Sequence, residues 1–458
     1  MGVKLNKINK KLAFLCFVPD AGHIIPLIRN AKLAMDEGFE IKFYVPIEAK
    51  PLFNGVEFPV HYLLPVLSDN EHLILASICN ASVTYRELFL KYKFRTYRNI
   101  PLMYNVYNQI DIIKDQVKDF DPIFIFADDL LLSLAYEYVS SYCNVPLVLH
   151  NAFGSNVACQ IDNKGNTTYP WADFFHRSQL KLLVQAAKLT NPIQEKWLRL
   201  TNKSAWKRQI NQRRTLNQSN QKYKKYISMH PTHVSHITTG LGIIEKEFLS
   251  HKVNVCQDIK LYPSMPPLQS EKLPVDINEW LEKDVKRNVL YVCFGTMITP
   301  PGKLANILRL LAEELDIRIL WASKRSPIEQ SSSSLGDDYF LWKKWVPQTS
   351  ILAHKSVIGF LTHAGGGSIQ EAIWYGKPVL CMPKLWDQPY NAWMTENLGC
   401  GINLYNQKIT KSKLERVLHE LLIERKLDAD TQKLQKIVKQ RSKAFDFGML
   451  IADIASID

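Results

Sequence analysis

A histidine that precedes a run of glycines marks the most informative stretch of the sequence, Trp345 to Gln388. An apolar, strand-like run ends at His363, the run Gly365–Gly367 follows, and a helical pattern begins at Ser368. A glycine-rich turn before a helix exposes backbone N–H groups at the positive end of the helix dipole, which is a site for an anion such as phosphate. Because no GxxxxGK[ST] pattern is present, the turn is not the phosphate loop of an NTPase.

The helix after the glycines carries its own start and stop signals. Ser368 and Glu371 have the spacing of a capping box, so we expect their side chains to accept hydrogen bonds from the first backbone amides of the helix. Gly376 and Pro378 predict the end of the helix. A cap alone does not explain consecutive glycines, whereas a phosphate ligand does, and we therefore predict that this turn binds phosphate.

Alternating strand and helix patterns surround this stretch and predict the elements that position it. In the N-terminal half, "KLAFLCFVP" and "EIKFYVP" read as buried strands around a helix that stops at Gly38, and "DPIFIFADD" begins a second such unit. The C-terminal half repeats the pattern from "NVLYVCFGT" to "PVLCMP". The predicted fold class is α/β, with two Rossmann-like, doubly wound parallel sheets that face a cleft. Ligands of such sheets bind outside the carboxyl ends of the strands.

A proline-rich segment, "LYPSMPPLQSEKLPVDINEW", separates the two halves. We predict an N-terminal domain over residues 1–261 and a linker over residues 262–275. A C-terminal domain then covers residues 276–440. The tail, residues 441–458, is expected to form a helix that crosses back to the N-terminal domain.

The composition is that of a globular protein, with 458 residues, 46% hydrophobic and 22% charged. The eight cysteines are scattered without a CxxC pair, which predicts neither disulfides nor a zinc site and favours a cytoplasmic location. No apolar run reaches the roughly 18 residues that cross a bilayer. The short apolar run from Leu12 to Val18 is interpreted as a buried strand, not as a signal peptide.

The net charge of +13 is concentrated in a basic segment, residues 177–225, in which Glu195 is the single acid. One interpretation is a solvated, partly helical insertion. The other is a surface that attracts anionic groups, such as membrane phosphates, so that the protein lies peripherally at a membrane. No nucleic-acid-binding module surrounds the segment, and we expect no nucleic-acid partner.

The stretch from Trp345 to Gln388 resembles the nucleotide-sugar signature of the UDP-glycosyltransferases, the family 1 enzymes with the GT-B fold, in the soluble type that has no membrane anchor. The matching positions are Trp345, Pro347, Gln348, Leu352, His354, His363, Gly365, Ser368, Glu371, Pro378, Pro383, Asp387 and Gln388. In the N-terminal half, "PDAGHIIPL" resembles the family's Gly-His-x-x-Pro motif.

The resemblance implies a role for each donor-binding residue. Trp345 would stack on the uracil, with Val346 and Gln348 beside the base and ribose, and Glu371 would accept hydrogen bonds from the ribose hydroxyls, since a carboxylate can accept two. The diphosphate would lie against His363, Gly365, Gly366, Gly367, Ser368 and Thr296. Asp387 and Gln388 would bind the sugar hydroxyls.

The resemblance also implies the catalytic residues. His23 would be the general base, and an aspartate at the end of a later strand would orient it. The run "FIFADDLL" offers both Asp128 and Asp129, and the sequence leaves the choice open. Because His23 begins a helix, we expect the helix dipole to disfavour the imidazolium and to keep the ring neutral.

The implied activity is an inverting, metal-independent transfer of a hexose from a UDP-sugar to a hydroxyl of a small, lipophilic or aromatic acceptor. Gln388 favours glucose, but plant enzymes usually have Cys-Gly-Trp-Asn where this chain has Ala364–Gly367, which leaves the sugar open. The N-terminal domain would bind the acceptor through loops around residues 60–110 and 150–200, and the C-terminal domain would bind the nucleotide sugar. These loops carry the aromatic residues Tyr85, Tyr97, Tyr104, Phe153 and Trp171. We expect a monomer with no cofactor besides the UDP-sugar co-substrate. The alternatives are a non-catalytic partner protein and a nucleotide-sugar epimerase.

Overall fold

The computed structural model describes most of both halves of the chain. The described residues are 10–66, 99–128, 132–151, 199, 203–238, 260–261, 271–295, 298, 300, 302–324, 326–327, 338–384, 387–405, 407–443 and 450. Within these residues, no helix is both long enough and apolar enough to cross a membrane.

The N-terminal half forms a seven-stranded sheet with the order β3-β2-β1-β4-β5-β6-β7, and every pair of neighbouring strands is parallel. The strands are β1 Lys11–Leu15, β2 Glu40–Pro46, β3 Val60–Leu63, β4 Phe124–Asp128, β5 Leu147–Asn151, β6 Val234–Thr238 and β7 Lys260–Leu261. Its helices are α1 Ala21–Asp36, α2 Asn99–Tyr107, α3 Ile110–Phe120, α4 Ser133–Cys143 and α5 Lys203–Met229, with a 3₁₀ helix at Ile47–Phe53.

The C-terminal half forms a six-stranded parallel sheet with the order β10-β9-β8-β11-β12-β13. The strands are β8 Val289–Cys293, β9 Arg318–Ala322, β10 Phe340–Lys343, β11 Val357–Thr362, β12 Val379–Cys381 and β13 Gly401–Asn403. Its helices are α6 Val275–Lys283, α7 Gly302–Glu314, α8 Gln348–Ala353, α9 Gly366–Trp374, α10 Gln388–Asn397, α11 Lys411–Leu418 and α12 Asp428–Ser442, with a π-helical turn at His419–Ile423.

Two doubly wound parallel sheets confirm the predicted fold class. In each sheet the strand order reverses next to the first strand of the half, so β1 lies beside β4 and β8 lies beside β11. This reversal opens a crevice at the carboxyl ends of those strands. The sequence also places the apolar residues as buried parallel strands require, since β1 is buried from Leu12 to Leu15 and β4 is buried throughout.

The first helix begins and ends where the sequence signals it. Asp20 is the N-cap of α1, and its side chain accepts a hydrogen bond of 2.8 Å from the amide of Gly22. The helix stops at Asp36, and Gly38 follows in a left-handed conformation with φ of 85°, as expected for a glycine after a helix. In the C-terminal tail, Leu450 is fully buried in the hydrophobic core of the N-terminal half.

Candidate active site

His23 and Asp128 meet where the N-terminal sheet changes strand order. Asp128 is the last residue of β4, and His23 lies in the first turn of α1, which follows the neighbouring strand β1. The Nδ1 atom of His23 is 3.1 Å from both Oδ1 and Oδ2 of Asp128. Both side chains are buried. The geometry thus selects Asp128 as a partner of His23, while Asp129 lies outside the described residues.

This contact determines which nitrogen of His23 is available for chemistry. A carboxylate only accepts hydrogen bonds, so Nδ1 of His23 carries the proton and donates a hydrogen bond to Asp128. The other ring nitrogen, Nε2, is then unprotonated in the neutral ring and carries the basic lone pair. A histidine held in this tautomer by an aspartate is the arrangement of a general base.

The charge around His23 differs from the sequence-based expectation. Burial lowers the pKa of His23, but the carboxylate of Asp128, with smaller contributions from Asp20 and Asp387, outweighs burial and raises the pKa. This net upward shift of the pKa is opposite to the direction expected from the helix dipole alone, because a carboxylate 3.1 Å away favours the imidazolium. The His23–Asp128 pair is thus able to accept and hold a proton.

The glycine-rich turn joins β11 to α9 at the carboxyl end of the second sheet. The helix begins at Gly366 with Gly365 as its N-cap, and this glycine has no side chain that could cap it. The predicted capping box was wrong, because Ser368 lies inside the helix and not at its N-cap, and Glu371 instead contacts Arg29 and Gln348. The predicted stop was right, because α9 ends at Trp374 and Gly376 follows with φ of 64°.

Two glycines make the space that holds His363. A Cβ at Gly365 would lie 2.5 Å from Nε2 of His363, and a Cβ at Gly295 would lie 2.8 Å from its Cε1. Gly295 follows β8 and also has a positive φ of 69°, so an L-residue there would be strained as well as crowded. Burial lowers the pKa of His363 to about 4, and the ring is therefore neutral at pH 7. Thr296 lies outside the described residues.

A carboxylate already lies at the start of α9. Oδ2 of Asp387 accepts a hydrogen bond of 3.3 Å from the amide of Gly366 and one of 2.7 Å from Nδ2 of Asn391. Burial raises the pKa of Asp387 to about 6, against the opposing effect of these hydrogen bonds. The next residue, Gln388, is buried, and its Oε1 accepts from the amide of Lys384 at 3.0 Å. The amide at the helix start thus points at a position that an anionic oxygen can occupy.

Glu371 lies one turn further along α9, with a polar partner on each oxygen. Nε2 of Gln348 donates to Oε2 of Glu371 at 2.7 Å and also contacts the hydroxyl of Ser368 at 3.3 Å. Oε1 of Glu371 accepts from Nη2 of Arg29, which lies on α1 in the N-terminal half. This contact brings both halves of the chain to one carboxylate.

Trp345 presents an open aromatic face at the start of this region. Its side chain is 71% exposed, which is high for a tryptophan and leaves the ring free to stack on a planar ligand. The neighbouring Val346 is only 5% exposed and packs in the core of the C-terminal half. Its side chain therefore cannot line a ligand site, and only its backbone is available.

Comparison with known proteins identifies this region. Residues 248–446 match the family described as UDP-glucoronosyl and UDP-glucosyl transferase. They are called the UDP-glycosyltransferase region below, after the family that they match. The UDP-glycosyltransferase region includes every element of the second sheet, together with the turn that holds His363 and the helix that carries Glu371.

Two curated relatives of this chain come from plants. One is a cyanidin-3-O-glucoside 2-O-glucuronosyltransferase of Bellis perennis, 31% identical over 43% of this chain and 48% of the relative. Another is a flavonoid 3-O-glucosyltransferase of Medicago truncatula, 31% identical over 37% of this chain and 38% of the relative. The chain covers less than half the length of either relative.

A solved structure extends the likeness in fold to nearly the whole chain. Phytolacca americana UGT2, complexed with UDP-2fluoro-glucose and pterostilbene, aligns with a TM-score of 0.61 over 97% of this chain and all of that one. The sequence identity is 18%, so this comparison shows the fold alone. The GT-B architecture predicted from the UDP-glycosyltransferase signature is confirmed.

Sequence reasoning missed Arg29, although it singled out most of the residues around it. Arg29 lies on the same helix as His23 and contacts Glu371 of the UDP-glycosyltransferase signature across the cleft. The available signal was an arginine fewer than two turns after a motif histidine, between the buried residues Ile28 and Asn30. No spacing rule connects it to a carboxylate more than 300 positions away.

Proposed function

We propose that this chain is a glycosyltransferase that moves a hexose from a UDP-sugar to a hydroxyl group of a small acceptor. The observation that carries the proposal is the His23–Asp128 pair on one side of the cleft, opposite the amide-lined start of α9 on the other. The first arrangement suits removal of a proton, and the second suits binding of a diphosphate. A transfer from a UDP-sugar needs both at once.

The proposed reaction begins when Nε2 of His23 removes the proton of the acceptor hydroxyl. The oxygen attacks the anomeric carbon from the face opposite the diphosphate, so the configuration inverts. Asp128 stabilises the imidazolium that forms. The amides at the start of α9 stabilise the negative charge that develops on the leaving UDP, a role that a metal ion has in other enzymes. We therefore propose a metal-independent reaction without a further cofactor.

The remaining donor roles follow the family resemblance. Trp345 would stack on the uracil with Val346 beside it, Gln348 and Glu371 would bind the ribose, and Asp387 and Gln388 would bind the sugar. We propose glucose as the sugar because of Gln388. The named relatives are a glucuronosyltransferase and a glucosyltransferase, so membership of the family does not itself fix the sugar.

For the acceptor we propose a lipophilic or aromatic small molecule. The relatives are named for flavonoid and anthocyanin substrates, and the solved structure contains a stilbene, pterostilbene. Among the aromatic residues of the predicted acceptor loops, Tyr104 is partly buried and packs against the hydrophobic core of the N-terminal half. The others lie outside the described residues: Tyr85, Tyr97, Phe153 and Trp171. The described cysteines are free thiols, which suits the cytoplasm, and we propose a monomer there.

Calorimetric titration with UDP and a Glu371→Gln variant tests the donor site. We expect wild type to bind UDP, and Glu371→Gln to bind it roughly 10- to 100-fold more weakly, since a hydrogen bond to a charged group is worth about 1.5–3 kcal/mol. The matched control is Glu396→Gln, which changes an exposed carboxylate on α10 and should leave the affinity unchanged. Absence of UDP binding by wild type would overturn the proposed function.

Contact with an anionic membrane surface is proposed for α5, the described part of the basic segment. The helix contains no aspartate or glutamate, and Lys207, Arg214, Lys224 and Lys225 are exposed on it. Each basic residue near an anionic surface contributes about 1 kcal/mol. A lipophilic acceptor dissolved in that surface would then be within reach.

Vesicle sedimentation tests this contact. Wild type should sediment with vesicles of phosphatidylcholine and phosphatidylserine, but not with phosphatidylcholine alone. The double variant Lys224→Glu/Lys225→Glu should bind at least about tenfold more weakly, given two reversed charges. Lys433→Glu/Lys436→Glu on α12 changes the net charge equally at another exposed place. Equal losses in both double variants would show that net charge, and not α5, attracts the vesicles.

A further inference from the structure

Arg29 joins the two halves of the chain at the carboxylate predicted to bind the donor ribose. Its Nη2 donates a hydrogen bond to Oε1 of Glu371, and the side chains of Arg29 and Glu371 are 18% and 10% exposed. An ion pair exposed on the surface contributes little to stability, but the Arg29–Glu371 pair is largely shielded from water. Loss of the guanidinium would leave a nearly buried carboxylate without its positive partner.

The helix that carries Arg29 meets the donor half at two points. At its start, His23 lies close enough to Asp387 for the two charges to interact. Further along, Arg29 contacts Glu371. His23 and Arg29 are separated by about 9 Å along α1, at 1.5 Å per residue. Asp387 is the predicted sugar contact and Glu371 the predicted ribose contact, so α1 runs along the donor from the sugar towards the ribose.

We propose that Arg29 is a positioning residue of the donor site. It orients the carboxylate of Glu371 towards the ribose, and it holds α1, with His23, in place beside the anomeric carbon. This inference rests on the proposed function. It assigns a residue of the acceptor-binding half to recognition of the nucleotide ribose.

The hydrogen bonds of Glu371 leave room for the ribose while Arg29 stays in place. A carboxylate has about four lone-pair sites. Arg29 uses one site on Oε1 and Gln348 uses one on Oε2, at 2.7 Å. One site on each oxygen remains for the two ribose hydroxyls. Because Arg29 and Gln348 hold Glu371 from two sides, the ribose meets a carboxylate that is already oriented, and less conformational entropy is lost on binding.

The test compares UDP with 2′,3′-dideoxy-UDP, which lacks the hydroxyls that Glu371 would bind. Wild type should prefer UDP, and Arg29→Met, which keeps the bulk but removes the charge, should lose most of that preference, about tenfold. Arg29→Lys, which keeps the charge, should restore part of it. In a Glu371→Gln background, Arg29→Met should change the preference no further, since both act through one contact. Lys32→Met changes an exposed residue on the same helix and should have no effect.

A second measurement separates positioning of the base from ribose binding. The rate of UDP-glucose hydrolysis at saturating donor should fall several-fold in Arg29→Met, because α1, which carries His23, loses a contact with the donor-binding half. Thermal unfolding checks that each variant folds. If Arg29→Met does not fold, the preference of Arg29→Lys for UDP over 2′,3′-dideoxy-UDP is compared with that of wild type instead. An unchanged preference for UDP would overturn the inference, as would tighter UDP binding by Arg29→Met, which would make Arg29 a competitor of the ribose. Failure of wild type to bind UDP would instead overturn the proposed function.

Discussion

Replacement of His23 by glutamine is expected to lower the rate of glycosyl transfer by about 10²–10⁴-fold, the range typical of a lost general base. Glutamine keeps a hydrogen-bonding group at the site but cannot accept and hold a proton. The UDP affinity should stay within about twofold, because His23 faces the sugar end of the donor and not the nucleotide. The rate is measured as release of UDP from UDP-glucose with a phenolic acceptor.

The matched control for His23 is His419→Gln, which changes an exposed histidine that pairs with Glu424 far from the cleft. This variant should transfer at the wild-type rate. If His23→Gln retained more than about a tenth of the wild-type rate, another group would have to be the base. If it lost UDP binding as well, the residue would be structural.

Asp128→Asn is expected to have the second-largest effect, a loss of about 10²–10³-fold in the transfer rate at pH 7. The asparagine amide can still contact Nδ1 of His23, but it can donate to that nitrogen, which favours the wrong tautomer, and it does not stabilise an imidazolium. The two 3.1 Å contacts to Nδ1 make Asp128 the partner on which this expectation depends. Asp111→Asn, on the exposed face of α3, is the control.

The pH dependence of the rate gives an independent check on Asp128. His23 must be neutral to accept a proton, so the rate rises with pH through the pKa of His23. Burial lowers this pKa, but Asp128, Asp20 and Asp387 together raise it above the ordinary value of 6.5. In Asp128→Asn the largest raising contribution is lost, and the acidic limb of the profile should move to lower pH. A limb that stays in place would show that Asp128 does not set the protonation of His23.

The sequence predicted the local elements well because their signals are local. Strand β2, Glu40–Pro46, is the predicted strand residue for residue. Helix α1 stops before Gly38, as expected from the conformational freedom of glycine. The candidate base and its carboxylate were both named, since each lies directly at the carboxyl end of a predicted strand or at the helix that follows it.

The remaining features depend on contacts between residues far apart in the chain. The predicted capping box was wrong because the helix begins before Ser368, and the side chain of Glu371 instead contacts Arg29 and Gln348, neither of which lies in that helix. The upward shift in the pKa of His23 was not predicted because the distance to Asp128 could not be known from spacing. The choice between Asp128 and Asp129 required the direction in which the end of β4 points its side chains.

Two glycines of the turn differ in the space that surrounds them. At Gly365 any side chain would collide with His363, so this position is closed to change unless the histidine changes with it. At Gly367, in contrast, a Cβ meets no atom within 4 Å, and the residue lies in ordinary helical conformation in α9. Gly367 therefore tolerates a side chain without repacking of the protein around it, whereas any side chain at Gly365 requires His363 to move.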